Sequence, residues 1–197
     1  MRANHEARAL REDDDVPWRP EDWTEWPREQ WVATGCEGAH TRALRDILRG
    51  LPCRERMRVV ELTRGPSSRL PYPAAGFARV VTVDLERTGA VPRALPPDRD
   101  VVVAVASIEA EDADDLFACI RAALVEGGLF LATFAARPRA SRPFPLRSGP
   151  SSSGFHEVEL QYRLRRAGFQ GLRLRRFRGE HGEEDVILGM AVRRALN

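Results

Sequence analysis

RVVELTRGPSS (58–68), VVTVDLE (80–86), DVVVAVAS (100–107) and ALVEGGLFLATF (123–134) follow one another in a single stretch, and their order fixes the architecture. One apolar run ends in Glu61 and a Gly-containing turn. A second ends in Asp84, and two more are separated by a helical segment. Val and Ile in short unbroken runs favour strands, and runs that do not alternate with polar residues suit strands buried on both faces. The expectation is therefore a parallel sheet covered by helices on each side.

Outward from that stretch the pattern continues. Ala113–Val125 places Leu116, Ile120, Ala123 and Leu124 at helical spacing, and Gly127-Gly128 is expected to close that helix. Residues 135–154 (AARPRASRPFPLRSGPSSSG) are rich in Pro, Ser, Gly and Arg and read as a long loop. Glu157–Ala167 reads as a helix with Val158, Leu160 and Leu164 inward, stopped by Gly168. Leu172–Phe177 and Val186–Val192 flank a GEHGEE turn, which predicts a terminal antiparallel hairpin.

Upstream, residues 1–16 are a charged lead-in. Residues 17–31 (PWRPEDWTEWPREQW) hold all four tryptophans, Trp18, Trp23, Trp26 and Trp31, with Pro20 and Pro27 placed to start short helical turns. Residues 37–49 carry Ala39, Ala43, Leu44, Ile47 and Leu48 on one helical face, ended by Gly50 and Pro52. The division is an N-terminal extension over 1–55, with the Trp-rich segment as lid or anchor, and one α/β domain over 56–197.

Composition excludes several classes. A chain of 197 residues can bury one real core. The three cysteines, Cys36, Cys53 and Cys119, are scattered, which speaks against a disulfide framework or a zinc site. No apolar run approaches the roughly 20 residues of a membrane span, and the charged N-terminus has no secretory h-region, so the expected location is cytoplasmic. All 31 basic residues are Arg, which rules out lysine chemistry of the Schiff-base or P-loop kind.

The order of these motifs resembles the class I S-adenosylmethionine (SAM) dependent methyltransferases. VVELTRGPSS is similar to the family's first motif, an acid followed by a glycine-rich turn. VVTVDLE is similar to its second strand with a terminal acid. ALVEGGLFLATF is similar to the helix, Gly-Gly turn and fifth strand. FHEVELQYRLRRAGFQGLRLRRF and VILGMAVRR are similar to the last helix and the closing strands, and EQWVATGCEGAHTRALRDIL to the helix before the first strand. The resemblance spans roughly residues 28–197. It implies a Rossmann-like, mostly parallel sheet with SAM as cofactor, held by Glu61, Gly65, Asp84 and Ser107.

The chain departs from the family pattern in three places. Thr63 and Ser67 replace the outer glycines of the turn, leaving Gly65, and a β-branched residue sits badly where backbone must approach a ligand. Pro71 and Pro73 interrupt the helix that should follow. Between Glu86 and Asp100 stand only RTGAVPRALPPDR, too short for the helix and strand the family fits there. The expected sheet order shrinks from 3-2-1-4-5-7-6 to 2-1-4-5-7-6, without the strand whose end helps hold adenine in the family.

Each candidate has a plainer alternative. Glu61 and Asp84 are placed for a cofactor, or are strand-end acids paired with arginines. Gly65 contacts a cofactor or only makes a turn. Ser107 and Glu109 follow the third apolar run at a substrate-facing position; for Glu109 the preferred reading is charge compensation at the next helix start. His156 is the one histidine placed as a base, or simply opens the last helix. Residues 137–178 hold eleven arginines against Glu157 and Glu159, a basic face for a protein partner or nucleic acid, or a solvated surface. The tryptophans offer a second partner surface or an anchor. The expected function is a SAM-dependent methyltransferase-like protein, a pseudoenzyme with catalysis impaired or absent. The alternatives are a fully active methyltransferase on an unknown acceptor, or a non-catalytic binding or regulatory module.

Overall fold

The computed structural model describes residues 44, 47–51, 54–64, 76–88, 92, 95–137, 154–177 and 185–193. The Trp segment, Gly65, the Pro71/Pro73 segment and most of the 135–154 stretch lie outside these residues.

Six strands form one sheet: β1 (Arg58–Thr63), β2 (Arg79–Asp84), β3 (Arg99–Val105), β4 (Leu124–Ala135), β5 (Phe169–Phe177) and β6 (Val186–Arg193). With them, among the described residues, run α1 (Leu85–Thr88), α2 (Ala113–Ala123) and α3 (Glu157–Arg166), and residues 47–50 are helical as well. The strand order is β2-β1-β3-β4-β6-β5. β2, β1, β3 and β4 run parallel, while β6 is antiparallel to both β4 and β5. This is the shortened order expected from the sequence, with the terminal hairpin at one edge.

Alternation along the strands divides the core into two layers. Val60, Leu62, Val102, Ala104, Phe130 and Phe134 face α2 and α3. Val59, Val101, Val103, Leu129 and Leu131 face the opposite side, where Leu44, Ile47 and Leu48 pack. Ile47 and Leu48 of the helical stretch before β1 are thus core residues, while Arg49 and Gly50 are exposed.

The short β2–β3 connection is not empty. Leu85 and Leu95 are buried against the α2 layer, and the Cys119 thiol lies 3.5 Å from the Pro92 carbonyl oxygen. Among the described residues no strand pairs beyond β2.

Several expectations need correction. β2 is not covered on both faces: none of its six residues is fully buried, three are exposed, and Val81 is 39% accessible, because it ends the sheet. α2 stops at Ala123, and Gly127-Gly128 lie inside β4. The register there jumps from Arg99↔Leu124 to Val101↔Leu129, so the extra β4 residues bulge out. The bulge needs both glycines: Gly127 has φ +77, and a Cβ on Gly128 would stand 2.8 Å from the Val125 carbonyl oxygen. β5 begins at Phe169, before the expected Leu172, with a register shift between Gln170 and Arg173.

Finally, Val158 is 61% exposed, and Glu159 takes an inward place beside Leu160 and Leu164. Helix geometry explains this: two residues turn the helix about 200°, so Val158 cannot share the face of Leu160.

Candidate functional site

From β1 the chain crosses to β2 on one side, then to β3 on the other. The crevice outside the carboxyl ends of β1 and β3 is thus the switch point of the sheet, where open α/β folds bind ligands. Thr63 and Asp84 are register partners at the ends of β1 and β2. Glu61, Thr63, Ser107 and Thr133 are all buried there, a polar seam at one edge of an otherwise apolar core.

Backbone strain marks the same place. Ala106, the first residue past β3, has φ +48. For a residue with a Cβ this left-handed conformation costs about 1–2 kcal/mol. It is held by the Ala106 N–H, which donates to the Thr133 carbonyl oxygen at 3.0 Å and to its Oγ1 at 3.2 Å. The turn brings Ser107 back beneath β1, where its Oγ donates to the Leu62 carbonyl oxygen at 2.9 Å.

Arg64 completes a strap across the crevice. Its Nε donates to the Ser107 carbonyl oxygen and its Nη1 meets Glu109 Oε1, both at 3.1 Å. Glu109 thus pairs with Arg64, and the preferred sequence reading, charge compensation of α2, is corrected: α2 begins only at Ala113. The Glu109 side chain is 57% exposed, so this pair is a weak fastening that salt screens.

The two acids read from the sequence are not equivalent. Glu61 is fully buried, opposite Thr82 and Val103. Asp84 is half-buried, and its Oδ1 accepts from the Glu86 N–H at 3.0 Å, capping the one-turn α1. A carboxylate offers about four acceptor sites, more than this one cap bond uses. Ser107 is buried, with its hydroxyl hydrogen committed to Leu62. Gly65 lies outside the described residues. The Arg64–Glu109 pair is invisible in the sequence, because residues so far apart along the chain carry no local signal of contact.

The arginine-rich region is partly internal. Arg137 Nη1 pairs with buried Glu159 at 3.3 Å, and Arg163 Nη2 with the same carboxylate at 2.9 Å. Arg163 also reaches Asp114, and Arg176 pairs with Asp185 at 2.7 Å. These three arginines do not belong to a solvated basic face, and the acids that answer them include two from outside the Glu157/Glu159 set. His156 precedes α3 in extended conformation, as a helix-start residue. Burial, with a smaller contribution from Asp115, pushes the Cys119 thiol up. Among the described residues no cluster of His, Cys, Asp and Glu could hold a metal ion, and no helix is long and apolar enough to cross a membrane.

Comparison with solved structures defines the fold. The chain is similar to Burkholderia thailandensis 1,6-didemethyltoxoflavin-N1-methyltransferase with bound 1,6-didemethyltoxoflavin and S-adenosylhomocysteine: 20% identity, TM-score 0.57, covering 99% of this chain and 92% of that one. It is similar to the glycopeptide N-methyltransferase MtfA complexed with SAM, at 20% identity and TM-score 0.54, covering 84% and 98%. It is also similar to the SAM-dependent methyltransferase SibL in its apo form, at 19% identity and TM-score 0.50, where 78% of this chain spans 55% of that one. No family profile and no curated protein sequence matches the chain. The fold is that of the class I SAM-dependent methyltransferases, a Rossmann-like α/β sheet.

Proposed function

We propose that this is a methyltransferase-like protein that binds SAM at the carboxyl ends of β1 and β2, with methyl transfer impaired or absent. The observation that carries the reading is the placement of Glu61 and Asp84 on adjacent strands beside the switch point of a methyltransferase-type sheet. Half-buried Asp84 fits an acceptor for ribose hydroxyls, the role of an acid at that strand end. Fully buried Glu61 fits a positioning role beneath the crevice rather than ligand contact. Structural neighbours that carry SAM or S-adenosylhomocysteine support the choice of ligand.

When bound, SAM supplies an activated methyl group for an acceptor nucleophile. The chain's contribution to such a reaction is orientation and exclusion of water, since methyl transfer needs alignment more than proton transfer. Two observations support impairment. The β2–β3 connection adds no strand among the described residues, and Arg64 straps the crevice to Glu109 and Ser107. The likeness to methyltransferases favours the second reading, a fully active enzyme, which methyl transfer from SAM to an acceptor would establish.

The test is calorimetric titration of SAM and S-adenosylhomocysteine into the full chain. Micromolar binding that is lost in Asp84→Ala is expected; no heat at millimolar ligand refutes the cofactor reading. Incubation with SAM and a mixed panel of amine, phenol and carboxylate acceptors should release no S-adenosylhomocysteine above a protein-free control. Release would overturn the impaired reading and leave the binding site intact.

A further inference from the structure

We infer that the outer edge of β5, together with α3, is a docking groove for an extended peptide whose residues alternate between apolar and acidic. A cavity of about 680 Å³ runs along four consecutive β5 residues, Leu172–Arg175, and one stripe of α3 formed by Glu157, Val158 and Gln161. β5 ends the sheet: β6 pairs along one side, and among the described residues no strand pairs along the other. The groove therefore presents strand backbone on one wall and a helix on the other, the arrangement that receives a peptide as an added strand.

The two faces of the groove differ in chemistry. Leu172 and Leu174 pack toward the α2/α3 layer of the core, and the exposed Val158 extends this apolar side. Arg173 and Arg175 stand opposite Met190 and Leu188, residues of the other core layer, so they lie on the reverse face of the sheet. Arg175 is positioned over the Phe177 ring, 5.4 Å from its centroid. Side chains of an added strand alternate between faces. Those turned to α3 meet Leu172, Leu174 and Val158, and those turned away meet two guanidinium groups. Glu157, the acid in the lining, is on the helix side and disfavours acidic residues there. At about 3.3 Å per residue, the four-residue wall suits a peptide of roughly six residues.

This inference does not rest on the cofactor site. It is tested with the full chain and a fluorescein-labelled hexapeptide in which Asp and Val alternate, read by fluorescence anisotropy. Saturable binding is expected. A block hexapeptide of the same composition, with all its Asp before all its Val, should bind more weakly by about tenfold or more. So should a hexapeptide in which Lys and Val alternate, since loss of even one good charged contact is worth that much. Arg173→Glu with Arg175→Glu should reverse the preference toward the alternating Lys/Val peptide. Val158→Glu, at an exposed position that folding tolerates, should weaken the alternating Asp/Val peptide, whose Val side chains meet that residue. Hydrogen exchange should slow at the amides of Leu172–Arg175 when peptide is present. Equal binding of the block peptide, an unchanged preference in the double variant, or protection elsewhere would overturn the inference. So would an oligo-dT strand that binds in place of the peptide and is lost in the double variant, or a dimer of the chain that peptide does not displace.

Discussion

Glu159→Leu should be among the most destabilising single changes in this chain. The Glu159 side chain is 2% exposed and holds Arg137, itself 7% exposed, at 3.3 Å, while its other oxygen takes Arg163 at 2.9 Å. Removing the carboxylate leaves the Arg137 charge buried without this partner, a loss worth about 3–5 kcal/mol. Arg163 adds little, because it is 23% exposed and keeps Asp114 and the Ala110 carbonyl oxygen. For a domain of this size each kcal/mol moves the melting temperature by about 2–4 °C, so the expected drop is roughly 6–20 °C. Urea unfolding followed by far-UV circular dichroism gives the free energy. Arg137→Met in the Glu159→Leu background should recover most of the loss, since an apolar pair of similar volume does not carry the desolvation of two charges. A Glu159→Leu cost under about 1 kcal/mol would show the pair behaves as a surface contact. A double variant no better than the single would show that the loss arises from packing rather than charge. Either result refutes the reasoning.

Arg64→Ala and Glu109→Gln both release the strap, and S-adenosylhomocysteine titration should show tighter binding in each. If Arg64→Ala weakens binding while Glu109→Gln strengthens it, the guanidinium contacts the ligand and the strap is not a barrier. Gly128→Ala should destabilise by about 1–3 kcal/mol in urea, since its Cβ would press on the Val125 and Arg99 carbonyl oxygens. Gly127→Ala meets no atom within 4 Å but keeps φ +77, so its cost of about 1–2 kcal/mol is conformational. With Cys36 and Cys53 changed to Ser, Cys119 should react with a disulfide reagent along a pH profile displaced above that of a free thiol, because burial holds its proton. The sign for stability follows: the folded thiol keeps its proton where the unfolded one loses it, so the unfolded state gains from ionisation first. Stability is therefore full below the free-thiol value and declines as pH rises from there to the folded value. A profile at or below the free thiol's would contradict the burial.

Much of the fold is legible because short apolar runs and their punctuation are local properties. The Val-rich runs at β1, β2 and β3 and the acids near the ends of β1 and β2 follow from spacing along the chain, and the shortened strand order from the resemblance to the methyltransferase family together with the short Glu86–Asp100 connection. The points of disagreement have two sources. Gly127-Gly128 signals a helix stop and a strand bulge equally well, and pairing with β3 decides between them. Val158 is a different case: helix geometry already separates it from Leu160, and what the sequence does not carry is that distant Arg137 answers the inward carboxylate of Glu159.

The same division holds for the site. Residue order is enough to specify an α/β chain with Asp84 at a strand end and too few residues between Glu86 and Asp100 for another strand and helix, whereas Glu61, read as a strand-end acid, lies inside β1, which runs on to Thr63. It takes the folded sheet to seal Glu61 while leaving Asp84 half-buried, to carry Arg64 across the switch point to Glu109, and to set Arg137 and Arg163 against buried Glu159 and Arg176 against Asp185. Strand and turn preferences act between neighbours, so they are written in order along the chain. Burial and ion pairing join residues far apart in sequence, such as Arg137 with Glu159 or Arg64 with Glu109, and they exist only once the sheet has brought those positions together.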